Sequence, residues 1–545
     1  MARPPQESND FVRPKNSRLR SDSADESVWT EDDYAKAIDD FSALDSGRGY
    51  NFRNLAEFLA PRYPPLPKLV SRSHGDFIAV YELCQQPSTG LWFQNTRQLH
   101  SCDDLRHGKL FGNSETTKYI IFLKGFPSPE WLRCIGSTYN IDPEYFRRFL
   151  EFGPPIRSAR RTSAFALRSS SPKMLTLNVT TVQLLEPSAR RDTSSERQRN
   201  ANNVGMEHYI MSLLRGEAAT SDPVVRDYWT VDAKSFVIEQ RISIYLQTDE
   251  ERGDGWNLFI WVDASEDLSE SFSGPWIFDE NMMGTKRRHE SLRTQPIMKY
   301  KPMLALKSHK LDESRPGPGY DQPTRPSKQS ASTLHIDYGR SLRPNLMACD
   351  TLYALREVFE LVAQAELQFL SFCAGMLDKF EDTHYSQEPD CLHNLKGLKQ
   401  LLYRHLHQNQ ESCTSLENMQ SPNWPRASDA KNQQKTEAST QYLKDDFAYL
   451  LKMNEQLYKH CTEAIGTLMN EIVIAESREA INQTARMAKL TFLAFIFVPL
   501  SFTTSFFGMN FQELGGGPTT LNIWVWFLTC GEALKPMDTE FSTSL

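Results

Sequence analysis

The sequence lacks the short motifs that mark the common enzyme sites. It contains no P-loop, no HExxH zinc motif, no GxSxG nucleophile motif and no dinucleotide-type glycine pattern. It also lacks a basic excess, since 61 Lys and Arg residues are set against 69 Asp and Glu residues and the net charge is −8. A general nucleic-acid-binding protein needs a positive surface. We therefore expect neither an enzyme nor a nucleic-acid partner.

Cysteine pairing and export signals are missing as well. The nine cysteines are an odd number and show no CxxC spacing, which indicates reduced thiols in a cytosolic domain. Residues 1–30 are polar and have no apolar core, so they do not resemble a secretory signal. The composition predicts a disordered tail over residues 1–50.

Charge is absent from one long stretch of the chain. No residue between Lys489 and Glu513 is charged, and the segment Leu490–Asn510 is rich in Phe, Leu and Thr. At about 1.5 Å per residue a helix of this length covers about 32 Å, which is enough for a hydrocarbon core of roughly 30 Å. We predict a transmembrane helix over 490–510. The mean hydropathy of −0.52 indicates that most of the remaining chain is soluble.

One face of this predicted helix is small and weakly polar. Steps of three and four residues from Thr484 to Gly508 pass through Met487, Thr491, Ala494, Val498, Ser501 and Ser505. Such a face is typical of helix packing in membranes, and it is equally suited to the wall of a pore. The end of the segment favours a pore, because the neutral amide oxygen of Asn510 can accept hydrogen bonds from the water shell of Mg²⁺ without removing that shell.

The motifs of this segment resemble those of the CorA superfamily of magnesium channels. The resemblance rests on Leu490-Thr491, Pro499-Leu500 and Phe507-Gly508-Met509-Asn510-Phe511 at their spacing. It implies a homopentamer with a pore lined by this helix, and a selectivity ring of Asn510, which would hold hydrated Mg²⁺ at the outer mouth. The positions that would face the permeation path are Thr484, Met487, Leu490, Val498 and Ser501.

The resemblance also sets expectations for ions and for one polar ring. It implies no cofactor, with Mg²⁺ as the transported ion and a candidate regulatory ion. The family commonly carries Asn at the position of Thr484, so the inner polar ring is altered in this chain. In the loop 511–520, Glu513 precedes three glycines and is placed to attract cations near the mouth.

The fold class predicted for the whole chain is α+β, with a mixed α/β domain over residues 51–280. Ser128 and Asp142 each precede a proline and are candidate caps of two helices. The block around them, residues 125–152, resembles the soluble domain of fungal CorA-like proteins. Alternating or continuous apolar runs predict strands at Phe77–Leu83, Tyr119–Leu123, Met174–Leu185, Phe236–Gln247 and Trp256–Val262. Loops are predicted over 154–173 and 186–203.

The second half of the chain is predicted to be helical. Residues 281–333 form a low-complexity insertion, and residues 334–489 show helical spacing interrupted by a polar insertion at 408–436. A long helix begins near Ser439 and continues into the membrane, as the stalk of a funnel-like pentamer would. Its seam, within or between subunits, is Leu443, Phe447, Leu450, Asn454, Leu457, Cys461, Ala464, Leu468, Glu471 and Ala475.

Several polar residues of this half have two interpretations. His405 and His407 lack further ligands at metal spacing, so we expect surface histidines. Seven acids along the stalk can attract cations or hold regulatory metal ions, and a solvated helix face is the simpler interpretation. They are Asp445, Asp446, Glu455, Glu463, Glu471, Glu476 and Glu479.

The flanks of the membrane segment predict its orientation. Arg478, Arg486 and Lys489 precede it, and residues 511–534 contain no Lys or Arg, so the large domain is expected in the cytoplasm. We favour the plasma membrane over the mitochondrial inner membrane. Residues 521–530 resemble the start of a second span, but about 20 apolar residues are needed and a polar tail, 531–545, follows. The chain is either truncated there, or its C-terminus stays outside or re-enters.

Two functions from different classes follow. The first is a channel subunit that passes Mg²⁺ or other divalent metals passively through a homopentameric pore. The second is a membrane-anchored regulatory or scaffold protein that keeps the cytosolic fold and conducts nothing, and the incomplete second span supports it. Oligomeric state and cation flux discriminate between them.

Overall fold

The computed structural model describes residues 29–44, 49–60, 77–86, 92–106, 118–152, 166–185, 195–232, 234–248, 255–265, 268, 274, 292–297, 330–382, 390–507 and 522–534. The chain divides into two compact units, Met1–Glu463 and Ala464–Leu545. The first unit contains a sheet between two helical layers. The second contains the end of a long helix and a short helix.

Within the described residues the sheet has eight strands in the order β2-β1-β3-β7-β6-β4-β8, and β5 pairs with β6. The β3 and β7 strands run parallel, whereas the other pairs are antiparallel. The bounds are β1 Ile78–Gln85, β2 Trp92–Leu99, β3 Lys118–Lys124, β4 Met174–Leu185, β5 Asp227–Asp232, β6 Ser235–Thr248, β7 Trp256–Val262 and β8 Leu292–Thr294.

The strands with long apolar runs were predictable and the polar or short ones were not. β4 and β7 have the predicted bounds, and β1, β3 and β6 differ by one or two residues at their ends. The missed β2 reads WFQNTRQL and is an edge strand, so polar side chains cost it little. The three-residue β8 pairs with β4 inside the region predicted as a low-complexity insertion.

The first helical layer covers one face of the sheet. Its core is aromatic: the Trp261 indole stacks on Phe149 with ring centroids 3.5 Å apart, and its Nε1 donates to the Gly125 carbonyl at 3.0 Å. Phe77 and Phe146 contact the same indole edge to face. The helices are α1 Glu31–Ser42, α2 Arg53–Leu59, α3 Cys102–Arg106, α4 Pro129–Tyr139, α5 Pro143–Leu150 and α6 Ser195–Leu214.

Local capping explains where two of these helices begin. The Ser128 hydroxyl accepts from the Trp131 amide at the start of α4, and the Asp142 carboxylate accepts from the Glu144 amide at the start of α5. Both caps were predicted. The predicted loop 186–203 was wrong in part, because α6 begins at Ser195.

The prediction of a tail over residues 1–50 was also wrong for part of its length. Residues 31–42 form α1, which begins with a capping box between Thr30 and Asp33. Tyr34 and Ile38 of this helix are buried in the core, and the Tyr34 hydroxyl donates to the Ile141 carbonyl at 2.9 Å. Acidic composition had suggested disorder, but the apolar residues on one face of α1 have a core to pack against.

The second helical layer covers the other face of the sheet. Tyr338 lies against Tyr81 and Phe122 of the sheet, with ring centroids 5.1 and 5.0 Å apart. Its hydroxyl donates to the Ala354 carbonyl at 2.6 Å. The layer comprises a 3₁₀ turn at Ser330–Thr333, α7 Leu334–Asp337, α8 Pro344–Cys349, α9 Thr351–Ala354, α10 Arg356–Glu381 and α11 Cys391–Asn418.

The long helix α12 is Ala430–Phe507, 78 residues. The predicted polar insertion at 408–436 was therefore wrong at both ends, because α11 continues to Asn418 and α12 begins at Ala430. The seam packs within the chain as far as Cys461: Phe447 contacts Phe359 of α10, and the Cys461 thiol donates to the Leu395 carbonyl at 3.5 Å. Burial raises the pKa of Cys461 to about 11, in line with an unreactive thiol.

Gly125 occupies a position that a side chain cannot share. Its φ is +65°, and a Cβ there would lie 2.4 Å from the Asp222 carbonyl oxygen. Gly216 has a similar φ of +69° with nothing within 4 Å of its Cβ position. We expect Gly125→Ala to lower the free energy of unfolding by about 1–3 kcal/mol more than Gly216→Ala. Both substitutions strain a backbone with positive φ, and only the first also places a Cβ against the Asp222 carbonyl oxygen. Urea unfolding of both variants measures this difference, and equal losses would contradict it.

Candidate ion pathway

The second unit contains the segment predicted to cross a membrane. Among the described residues, α12 is the helix whose length and composition suit a membrane span, and none of its apolar window is buried in the chain. The predicted membrane segment 490–510 lies in α12 as far as Phe507. Gly508, Met509, Asn510 and Glu513 lie outside the described residues, so their predicted roles stay predictions.

The candidate lining residues share one face of α12. Helical geometry places Thr484, Met487, Leu490, Val498 and Ser501 within an arc of about 120° over about 26 Å of helix. All five are exposed in the single chain, and Met487, Leu490 and Val498 are 68%, 67% and 66% exposed. An apolar side chain without a partner in its own chain needs lipid or another subunit to cover it.

The hydroxyl groups of this segment bond back to the helix. Thr484 Oγ1 donates to the Ala480 carbonyl at 2.8 Å, and Thr491 Oγ1 donates to the Met487 carbonyl at 2.9 Å. Because each hydroxyl proton is donated to a helix carbonyl, only the lone pairs of the hydroxyl oxygen can face outwards. The two Thr side chains therefore offer hydrogen-bond acceptors, which suit the water shell of a cation.

Pro499 removes a backbone donor from the middle of the segment. The neighbouring hydroxyls of Thr503 and Thr504 donate to the Leu500 carbonyl at 3.0 and 2.8 Å. Thr504 also lies 3.0 Å from the Ser501 carbonyl. These contacts give both hydroxyl protons a carbonyl partner on the C-terminal side of the proline.

Charged residues flank the apolar segment in the part of α12 that precedes it. Arg478, Arg486 and Lys489 are exposed in the single chain, and the orientation predicted from them stays a prediction. The seven stalk acids are also exposed, and the described residues contain no group of three or more His, Cys, Asp or Glu placed to hold a metal ion. Both interpretations of the seven acids therefore stay predictions.

The region predicted as a partial second span is helical over a slightly longer range. The helix α13 is Ile523–Leu534, twelve residues, which cover about 18 Å. It extends four residues beyond the predicted bound at Cys530. Trp524 and Phe527 on it are exposed in the single chain, at 72% and 56%.

The prediction of surface histidines was wrong for His405. His405 is fully buried, with its Nδ1 2.9 Å from a Glu366 oxygen, whereas His407 two residues later is exposed. The residues around His405 belong to an ionic layer between β5–β6 and the helices α10 and α11. Sequence spacing did not reveal this layer, because its members are distant in the chain: Asp227, Asp232, Glu239, Glu366, Lys379, Arg404 and His405.

Comparison with known families concerns the C-terminal third of the chain. Residues 356–532 match the family model described as CorA-like Mg2+ transporter protein. The match begins at the first residue of α10 and ends within α13. No curated protein matches the chain. The resemblance to the CorA superfamily is confirmed for this segment, and the sheet with its first helical layer precedes it.

Proposed function

We propose that this chain, whose residues 356–532 carry a CorA-like Mg²⁺ transporter domain, is a subunit of a membrane channel for Mg²⁺ and related divalent cations. Ions move down their electrochemical gradient along the face defined by Thr484, Met487, Leu490, Val498 and Ser501. Asn510 and its neighbours Gly508 and Met509 select the hydrated ion at one end of this path. No step in this function is enzymatic.

The observation that carries the proposal is the uncovered face of α12. This face carries no charge from Leu490 to Ser505, its residues Leu490, Val498 and Ser501 are exposed in the single chain, and the hydroxyl protons of Thr484 and Thr491 bond back to the helix. Several copies of such a helix, arranged around an axis, would bury their apolar side chains and turn the acceptors towards water. A homopentamer, as the family resemblance implies, provides this arrangement.

The orientation of the subunit follows from its charges. The cations Arg478, Arg486 and Lys489 favour the cytoplasmic side, which places the large domain in the cytoplasm and Asn510 outside. The plasma membrane is the proposed location. Glu513 in the outer loop attracts cations to the mouth by its charge.

A second candidate function is a membrane-anchored regulator that does not conduct. The observation in its favour is the short apolar run over residues 521–530, which has ten residues, about half of the roughly 20 that span a membrane, and is followed by Glu532 and Lys535. An anchor would bind the membrane through α12 alone and would not need a closed ring of subunits.

Replacing Asn510 tests the channel. In liposomes that contain the purified protein and an internal Mg²⁺ dye, we expect Asn510→Ala to reduce the initial Mg²⁺ influx at least about tenfold, because the neutral oxygens that receive the hydrated ion are lost. Asn482→Ala is the matched control, because Asn482 is an exposed asparagine on the opposite side of α12. Its flux should equal that of the wild type.

The size of the assembly separates the two candidate functions. A pentamer on native gels with Asn510-dependent influx supports the channel. A monomer without influx above that of empty liposomes would support the anchor and overturn the channel. Influx that Asn510→Ala leaves unchanged would place selection elsewhere and contradict the proposed site.

A further inference from the structure

Two cysteines meet in the first helical layer, where α3 packs against α4. The Cys134 thiol of α4 lies 3.7 Å from the carbonyl oxygen of Cys102, the first residue of α3. The two thiols also hydrogen-bond to each other. Both are reduced and buried, with Cys102 5% and Cys134 0% exposed. The fold thus brings together two sulfur atoms from residues 32 positions apart in the chain.

The two thiols differ in acidity. The hydrogen bond from Cys102 lowers the pKa of Cys134, although burial acts in the opposite direction. The same hydrogen bond, and then burial, raises the pKa of Cys102. Of the charged groups nearby, Arg106 favours a thiolate at either sulfur, whereas Glu31 opposes it at Cys134 and Glu130 at Cys102. When the two thiols lose a proton, the charge therefore lies on Cys134, and Cys102 is the donor that stabilises it.

The helix that carries Cys102 is short and lies at the surface. It has five residues, and its Arg106 side chain is 38% exposed. This guanidinium bonds to Glu31 of α1 at 2.7 Å and to Glu130 of α4 at 3.2 Å. Exposed ion pairs of this kind contribute little to stability, and short surface elements are among the first to open locally. Local opening of α3 gives a small oxidant access to the two sulfur atoms.

We propose that Cys102 and Cys134 are a redox-modification site that forms a reversible disulfide with hydrogen peroxide as the oxidant, and that this bond joins α3 to α4. The thiolate is the reactive form of cysteine, so Cys134 reacts first and Cys102 second. In reducing compartments such disulfides are usually transient and redox-sensing. The site lies in the first unit and does not depend on the proposed channel.

The reaction has two steps. In the first, the Cys134 sulfur attacks one peroxide oxygen and the O–O bond breaks. The hydroxide that leaves takes up the proton that Cys134 had lost and becomes water. In the second, the Cys102 sulfur attacks the sulfenic acid on Cys134, the S–O bond breaks, and the Cys102 proton leaves with the hydroxyl group as water. Two thiols and one peroxide therefore give one disulfide and two waters, and a dithiol reductant reverses the oxidation.

Peptide mapping of the full-length protein in detergent tests this site. The folded protein is treated with hydrogen peroxide, the remaining thiols are blocked with iodoacetamide in urea, and the chain is digested with trypsin without reductant. Cleavage after arginine places the two cysteines on the separate peptides 98–106 and 134–147. We expect mass spectrometry to find these peptides joined, two hydrogen atoms lighter than their sum, and dithiothreitol to separate them.

Single variants test the order of the two steps. Cys102→Ser keeps a hydrogen-bond donor and removes the second sulfur, so the sulfenic acid should persist at Cys134 and react with dimedone. In Cys134→Ser, we expect at least about tenfold less dimedone on Cys102, because each unit of pKa changes the thiolate fraction about tenfold. Cys391→Ser is the control, since it removes a buried thiol that donates to the Phe380 carbonyl at 3.4 Å. It should form the same joined peptides as the wild type.

Three outcomes would contradict the proposal. Iodoacetamide on both Cys102 and Cys134 after peroxide treatment would show that the two thiols do not react. Linkage of either residue to a different cysteine would show that their contact does not direct the oxidation. Equal dimedone labelling in the two serine variants would contradict the assigned order of steps. The peptide map of the wild type needs no variant, so it tests the disulfide even if a serine variant does not fold.

Discussion

Ser501→Trp should reduce Mg²⁺ influx into liposomes by about tenfold or more, equivalent to about 1.4 kcal/mol on the barrier to permeation. Ser501 is exposed and lies on the same face of α12 as Met487 and Val498. An indole at this position in each subunit would fill the path that small side chains leave open. The initial rate of dye response after addition of external Mg²⁺ measures the effect.

Thr503→Trp is the matched control for this substitution. Thr503 follows Ser501 by two residues, so it lies about 160° away around the axis of α12. Both positions carry a hydroxyl in the wild type. The control should assemble and conduct Mg²⁺ at close to the wild-type rate, because its indole points away from the path. Equal loss of influx in both variants would indicate a general defect in the helix and would contradict the assigned face.

Arg226→Met should lower the free energy of unfolding by about 3–5 kcal/mol, because it leaves a buried carboxylate without its cation. Arg226 binds both oxygens of Asp263 at 2.7 Å, and the Asp263 side chain is 0% exposed. The same guanidinium donates to the carbonyls of Phe149 at 2.7 Å and Glu151 at 3.1 Å. One side chain thus ties β5 to the end of β7 and to α5. Urea unfolding of the purified protein measures the loss.

The double variant Arg226→Met with Asp263→Leu separates the two sources of this cost. Replacement of a buried ion pair by apolar groups of similar size is often close to neutral. We therefore expect the double variant to recover much of the stability lost in Arg226→Met. A double variant as unstable as the single one would show that the carbonyl contacts of the guanidinium, and not the stranded charge, account for the loss.

The sequence predicted the elements whose signal is local. Strands β4 and β7 were recognised from apolar runs, helices α4 and α5 from a cap followed by proline, and α12 from an uninterrupted helical pattern. Each of these signals depends on residues close together in the chain. The same holds for the membrane segment and for the tripeptide Gly508-Met509-Asn510, from which the family was recognised.

Elements were missed where distant residues stabilise them. The sequence of α1 is acidic and resembles part of a tail, but in the structure the Tyr34 hydroxyl donates to the carbonyl of Ile141. The strand β8 has three residues and is stabilised by pairing with β4. The ends of α11 and α12 near residues 408–436 are polar, and their helical form depends on packing such as that of Asn409 against Glu366. Local composition cannot report such contacts.

For the function, the sequence alone determined the charge-free membrane segment, its small and hydroxylated face, and the resemblance that the family match confirms for residues 356–532. These follow from periodicity and spacing along one helix. The tertiary structure alone decided that the seam from Leu443 to Cys461 packs within the chain, and that His405 lies between carboxylates 39 and 166 residues away, at Glu366 and Glu239. The reason is physical. The residues of one helix face are close together in the sequence, whereas the residues that pack against a buried ionisable side chain are distant in the sequence and meet only in the folded chain.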